Sequence, residues 1–238
     1  MISVFFRMMA PRLVLVALIG WLFYLLEPAF HQHEVAERGL EAAFGVYGLS
    51  ATLANFAGLS VLVLLAGFIA GDRRRGWYRI FFAHPTRPLA FYGVRWVMAV
   101  VMAVAAAAVF LVVGQLAAWG SFDGGWIGLH LALLSAIAYG GLVAFLSALL
   151  PRGDSWVSIV IFFIAFFWLQ WLQLGAEPLP PLPRDIVTLL LPPQTALQDV
   201  YDGILRGEIN WAASAFAAGY GAFWLVLAAA MVRWREWP

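Results

Sequence analysis

Six long apolar stretches, at about 8–30, 43–70, 92–120, 125–150, 156–176 and 209–232, alternate along the chain with connections that hold most of its polar and charged residues. A helix needs about 20 apolar residues to cross a hydrocarbon core of about 30 Å, and each stretch meets or approaches that length. The pattern predicts an all-α polytopic membrane protein with six transmembrane helices, organised as a single domain over 1–238. The first stretch is the least regular, because Pro11 and Arg12 interrupt its start. Arg12 can snorkel to the lipid headgroups while 13–26 cross. A cleaved signal peptide would share the basic start and the short apolar run. Glu27-Pro28-Ala29-Phe30 offers no small-x-small cleavage site, however, so a retained helix is expected.

Six crossings put both ends on one side, and the arginines identify that side. Eleven of them (7, 12, 73, 74, 75, 79, 87, 95, 152, 233 and 235) fall on the connections that share a side with the termini, against three (38, 184 and 206) on the other. The acids run the opposite way: Asp72, Asp154 and Glu236 lie beside the first group, and the remaining ten of 13 beside the second. The positive-inside rule then places both termini in the cytoplasm. Tryptophan and tyrosine prefer the headgroup level, with Trp21, Trp119, Trp126 and Trp211 toward the outside and Trp77, Trp156 and Trp234 toward the inside. Small residues in the fourth and sixth stretches, Gly140 and Gly141 in one and Ala217 and Gly221 in the other, permit close helix approach.

Composition narrows the chemistry. Hydrophobic residues make up 64% and charged residues 11%, against about a quarter charged in globular domains. No Cys and no Lys is present, which excludes disulfides, thiolate metal sites, a cysteine nucleophile, a Schiff-base lysine and a P-loop lysine. A net charge of +1 argues against nucleic-acid binding. His31 and His33 with Glu34 could bind a metal, although such a pair in an acidic loop is more often simply polar. An intramembrane serine protease would need a Gly-flanked serine. The segments around Ser50 and Ser60 lack the second glycine, and His130 sits near the outer end of its stretch. No catalytic site, metal or cofactor is expected in this chain.

Ion-coupled transport generally needs a group that changes charge at membrane depth. No stretch carries Asp, Glu or Arg near its centre. The polar residues there are neutral, and Asn55, Gln115, Gln170, Gln173 and Tyr220 are candidates either for a substrate path or for ordinary hydrogen bonding between helices. Energy for any uphill movement would therefore enter from a partner on the cytoplasmic face.

The connection at 71–88 is the natural place for that partner. Arg73, Arg74, Arg75 and Arg79 interleave with Trp77, Ile80, Phe81 and Phe82 ahead of Pro85, the pattern of a short interfacial helix. It would serve either as an anchor on anionic lipid or as a docking element. The residues Asp72-Arg73, Gly76, Ile80-Phe81-Phe82, Pro85-Thr86-Arg87 and Tyr92-Gly93-Val94-Arg95 resemble the second-to-third-helix connection in membrane subunits of type-2 ABC exporters. In that family this connection forms the coupling helix seated on the ATPase. A second likeness lies at 178–208, where proline-broken segments at 185–193 and 194–205 are similar to the re-entrant outer helices of those permeases, or form a surface amphipathic loop. One departure is the short stretch before the first span, which leaves only 1–10 for the family's usual interface helix.

The resemblance implies a permease subunit of an ATP-driven exporter in the cell inner (cytoplasmic) membrane, paired with a second permease copy or a related chain and with ABC-type ATPase subunits that hold ATP and Mg. Its ATPase-coupling residues would be Asp72, Arg73, Arg74, Arg75, Gly76, Trp77, Arg79, Phe81, Phe82, Pro85 and Arg87. The apolar interior favours a lipid-like or amphipathic substrate. The alternative is a non-transporting structural or assembly subunit that anchors a larger membrane complex.

Overall fold

A computed structural model describes residues 2–31, 47–76, 87–173 and 180–234. Among the described residues every regular element is a helix: α1 (Ile2–Leu26), α2 (Pro28–His31), α3 (Leu49–Leu64), α4 (Ala70–Arg74), α5 (Pro88–Trp119), α6 (Gly128–Leu149), α7 (Asp154–Gln173), α8 (Pro181–Leu190), α9 (Gln194–Leu205) and α10 (Trp211–Trp234). Four of these, α1, α5, α6 and α10, contain windows long and apolar enough to cross a membrane, while α3 and most of α7 are shorter apolar helices. Their outward faces remain apolar, as at Val14, Leu18 and Trp21 on α1 and Val101, Val109 and Val113 on α5. A soluble bundle would carry polar residues there, so the surface is that of a multi-pass membrane protein.

α6 is the axis of the bundle. It packs along α3 on one side and α10 on the other, with α5, α7 and α9 completing its surroundings. Its sequence explains the position, because Ala132, Ser135, Ala136, Ala138, Gly140, Gly141, Ala144, Ser147 and Ala148 give it a narrow profile on several faces at once. A side-chain Cβ at Gly141 would lie 2.1 Å from the Gly221 carbonyl oxygen, and one at Gly221 would lie 2.4 Å from that of Ile137. The α6 and α10 backbones therefore touch directly. On the α3 side, a Cβ at Gly58 would meet Ser135 Oγ at 2.9 Å, and one at Gly128 would meet Ser50 Oγ at 2.8 Å. Without a hydrophobic driving force between helices in lipid, such close contact lets dispersion and weak polar contacts hold the bundle.

Two elements depart from the sequence pattern. α1 runs without interruption through Pro11, so 2–10 does not form a separate interface helix before the first apolar stretch. A single proline removes one backbone bond, and an apolar helix of 25 residues retains the rest of its ladder. The second stretch, expected to continue to about residue 70, instead leaves the helix after Leu64 and turns through 65–69 before α4. The cause is local: Gly67 adopts φ +64°, a left-handed conformation suited to glycine. Distant hydroxyls then satisfy the backbone that the break frees.

At the opposite end, α8 and α9 are separated at Pro192-Pro193. α9 buries Ala196, Leu197, Val200 and Ile204 against Leu131, Leu134, Ala213 and Ala217, whereas α8 leaves Leu182, Ile186 and Leu190 exposed.

Candidate functional site

The break after α3 brings three helices to one point at the arginine-bearing end of the bundle. Ser147, in the last turn of α6, is fully buried, and its Oγ accepts the N–H groups of Ile69 (2.9 Å) and Ala70 (3.1 Å) while its hydroxyl donates to Asp154 Oδ2 (2.7 Å). A serine hydroxyl has one donor and two acceptor positions, and all three are filled here. Asp154 opens α7, where its charge also meets the positive end of the helix dipole, and it is 1% exposed. The neighbouring Ser155 accepts the Gly67 N–H at 3.1 Å. One interhelical hydroxyl and one helix-opening pair thus replace the helical bonds that 65–70 gives up.

Asp72 fastens the same segment to α5. Its Oδ2 lies 2.8 Å from Arg95 Nη1, and both side chains are almost completely buried. Arg95 also donates to the Phe68 carbonyl at 3.1 Å and lies over the Phe68 ring at 5.3 Å from its centre. Burial pushes the Asp72 carboxyl up from its ordinary range, and the charge and hydrogen bond of Arg95 pull it back. Arg73 reaches the other way and donates to the Ala148 carbonyl at the end of α6, 3.0 Å away. Arg12 of α1 donates to the Leu64 carbonyl, where α3 ends.

Of the coupling residues expected from the sequence, Asp72, Arg73, Arg74, Arg75, Gly76 and Arg87 fall within the description, whereas Trp77, Arg79, Phe81, Phe82 and Pro85 lie outside the described residues. Asp72 and Arg73 face into the junction, Arg74 and Arg75 are exposed beside it, and Gly76 ends the segment at φ +69°. Arg87 is the N-cap of α5, with Pro88 at the first helical position.

Among the described side chains, the polar candidates for a substrate path do not converge. Asn55 is half-buried on α3. Gln115 is buried near the far end of α5, where its Nε2 donates to the Gly124 carbonyl (2.9 Å) and its Oε1 accepts the Asp123 N–H (2.8 Å), so it pins the connection to α6. Tyr220 donates to the Leu190 carbonyl at 2.8 Å and joins α10 to the end of α8. Gln170 and Gln173 lie on α7, with their side chains outside the description.

Three further polar contacts join helices in pairings that the sequence does not specify. Gln194, at the start of α9, donates to the hydroxyl of Tyr139, a residue 2% exposed in the middle of α6. Glu27 accepts from Thr52 and from the Ala29 N–H, tying the end of α1 to α3. His130 shares a hydrogen bond with Ser214 on α10 at 2.9 Å. Among the described residues no three His, Asp or Glu side chains gather as a metal site would require, and His33 and Glu34 lie outside that range.

Ser147→Ala tests the junction. It leaves two backbone donors and a buried carboxylate without their partner, at about 1–3 kcal/mol for each such group, so the melting temperature in detergent is expected to fall clearly. Ser121→Ala, which removes an exposed bond to Asp123, is expected to change it little. Equal melting of the two variants would contradict the role assigned to Ser147.

No family model matches this chain, and no curated protein or solved structure gives a significant match.

Proposed function

We propose that this chain is the transmembrane permease subunit of an ATP-driven exporter of the type-2 ABC kind, with six crossings and both termini in the cytoplasm. In this reading a second copy or a related chain completes the pathway, and two ATPase subunits bind ATP and Mg. The observation that carries the reading is the attachment of the 65–76 segment to three helices at once: to α5 through Asp72 and Arg95, to α6 through Arg73 and Ser147, and to α7 through Ser155. Force applied to the 71–88 connection would reach α5, α6 and α7 together and move them as a unit, because the bonds that join them are buried and short. A flexible surface loop would absorb the same force.

Three features support the reading further. α5 has 32 residues, about 48 Å at 1.5 Å per residue, so it extends beyond a core of about 30 Å into the region of the arginines. The lack of acidic or basic residues near the centres of the apolar stretches leaves no group to couple transport to an ion gradient. α8 and α9, joined to the bundle through Tyr220 and Gln194, occupy the end opposite the junction, where a re-entrant pair would gate release. The apolar interior of the bundle fits a lipid-like or amphipathic cargo.

Affinity purification from the native membrane followed by mass spectrometry tests the proposal, with an ATPase subunit of P-loop sequence expected to co-purify. Arg79→Glu combined with Phe81→Ala is expected to cut its recovery at least about tenfold while membrane insertion is unchanged, since paired aromatic and arginine anchors dominate such contacts. Unaltered recovery and ATP turnover would count against the coupling role. Stable partners without an ATPase would favour the scaffold alternative.

A further inference from the structure

A cavity of about 310 Å³ opens at the arginine-bearing end, between α1, the 66–75 segment, α5 and Ser155 at the start of α7. Four arginines line it, Arg12, Arg74, Arg75 and Arg95, with Asp72 as the lone acid, so its lining carries a net charge of +3 (four minus one). Asp72 is already engaged by Arg95 and does not neutralise the others. The rest of the wall is small, and a Cβ added at Gly71 would meet no atom within 4 Å. Arg95 is 2% exposed, and its Nε has no hydrogen-bond partner among the described residues. Several guanidinium groups gathered around one cavity, with a single carboxylate that is already paired, are the complement of a multidentate anion.

We infer that this cavity binds a phosphate-bearing group. Planar guanidinium forks match phosphate oxygens in pairs, and one tetrahedral anion bridging several arginines would relieve their mutual repulsion. The volume admits a free phosphate or a single headgroup and excludes a folded partner. Binding as such does not depend on the permease reading. Only the lipid source does, since that reading puts Arg12 at headgroup level on the cytoplasmic side.

The experiment uses the full chain purified in a maltoside detergent, with its melting temperature followed against dihexanoyl-phosphatidylglycerol, dihexanoyl-phosphatidylcholine and inorganic phosphate. A saturable rise with phosphatidylglycerol alone identifies an anionic lipid headgroup. A rise with inorganic phosphate as well identifies a soluble phosphate group. In either case Arg74→Gln with Arg75→Gln is expected to weaken the apparent affinity about tenfold or more, the scale of losing one charge-assisted hydrogen bond. Gly71→Gln, at a lining position where a Cβ meets no atom within 4 Å, is expected to do the same by occupying part of the cavity. Arg152→Gln, an exposed arginine on the α6–α7 connection outside the cavity, is expected to bind like the unaltered chain. The inference is overturned by no response to either anion, by an equal response to phosphatidylcholine, or by an Arg152→Gln loss as large as that of the cavity variants.

Discussion

Gly141→Ala is expected to cost at least about 3 kcal/mol and to lower the melting temperature by roughly 10 °C, because the added methyl has nowhere to go. At 2.1 Å its carbon would overlap the carbonyl oxygen of Gly221, and that oxygen belongs to backbone on another helix and cannot rotate aside. Relief requires α10 to move away from α6, which abandons the contacts along their whole shared length. Gly221→Ala should behave alike, since its methyl would strike the Ile137 carbonyl from the opposite side. The control is on the same helix: Gly219→Ala meets nothing within 4 Å and replaces glycine with a better helix former, so it should be neutral or slightly stabilising. Thermal melts of the three variants in one detergent decide the matter. If Gly141→Ala and Gly219→Ala melt together, the two backbones are not in contact as described.

Asp72→Asn is expected to be nearly as damaging, at about 3–5 kcal/mol, because it strands the Arg95 charge in a buried site. What remains to Arg95 is neutral, the Phe68 carbonyl, the amide oxygen of the new Asn and one ring face, and these do not compensate a full charge. The opposite outcome is expected when both charges go: Asp72→Leu with Arg95→Met should regain most of the loss, since a packed apolar pair often stabilises a fold as well as a buried ion pair does. A double-mutant cycle that proved additive would show that the two residues do not interact. Size-exclusion profiles alongside the melts would separate loss of stability from loss of insertion.

The legible part of this fold is the part dictated by solvent. Runs of about 20 apolar residues declare themselves, and Pro192-Pro193 marks the boundary between α8 and α9 where the sequence places it. Gly141 and Gly221 can be identified as small residues in separate helices, but nothing in either segment says that they face each other. The break after Leu64 is illegible for a related reason. Its backbone is satisfied by Ser147 and Ser155, 78 and 88 residues from their partners, and a serine in an apolar helix carries no address. Gln115 shows the converse: a glutamine in an apolar run reads as a path residue or a bond between helices, yet its partners are eight and nine residues further along its own chain. Arg95 offered a stronger signal. An arginine about two turns inside an apolar helix must find an acid or a carbonyl, and Asp72 was the nearest acid in sequence.

The central place of α6 also sets an order of assembly. Of its two most extensive neighbours, α3 is synthesised before it and α10 is the last helix of the described chain to emerge. Until residue 211 and its successors leave the ribosome, the Gly141 side of α6 has no mate and must be held by lipid, by the insertion machinery or by a chaperone. A nascent chain stalled before that point would present a groove of bare backbone, a ready substrate for membrane quality-control proteases.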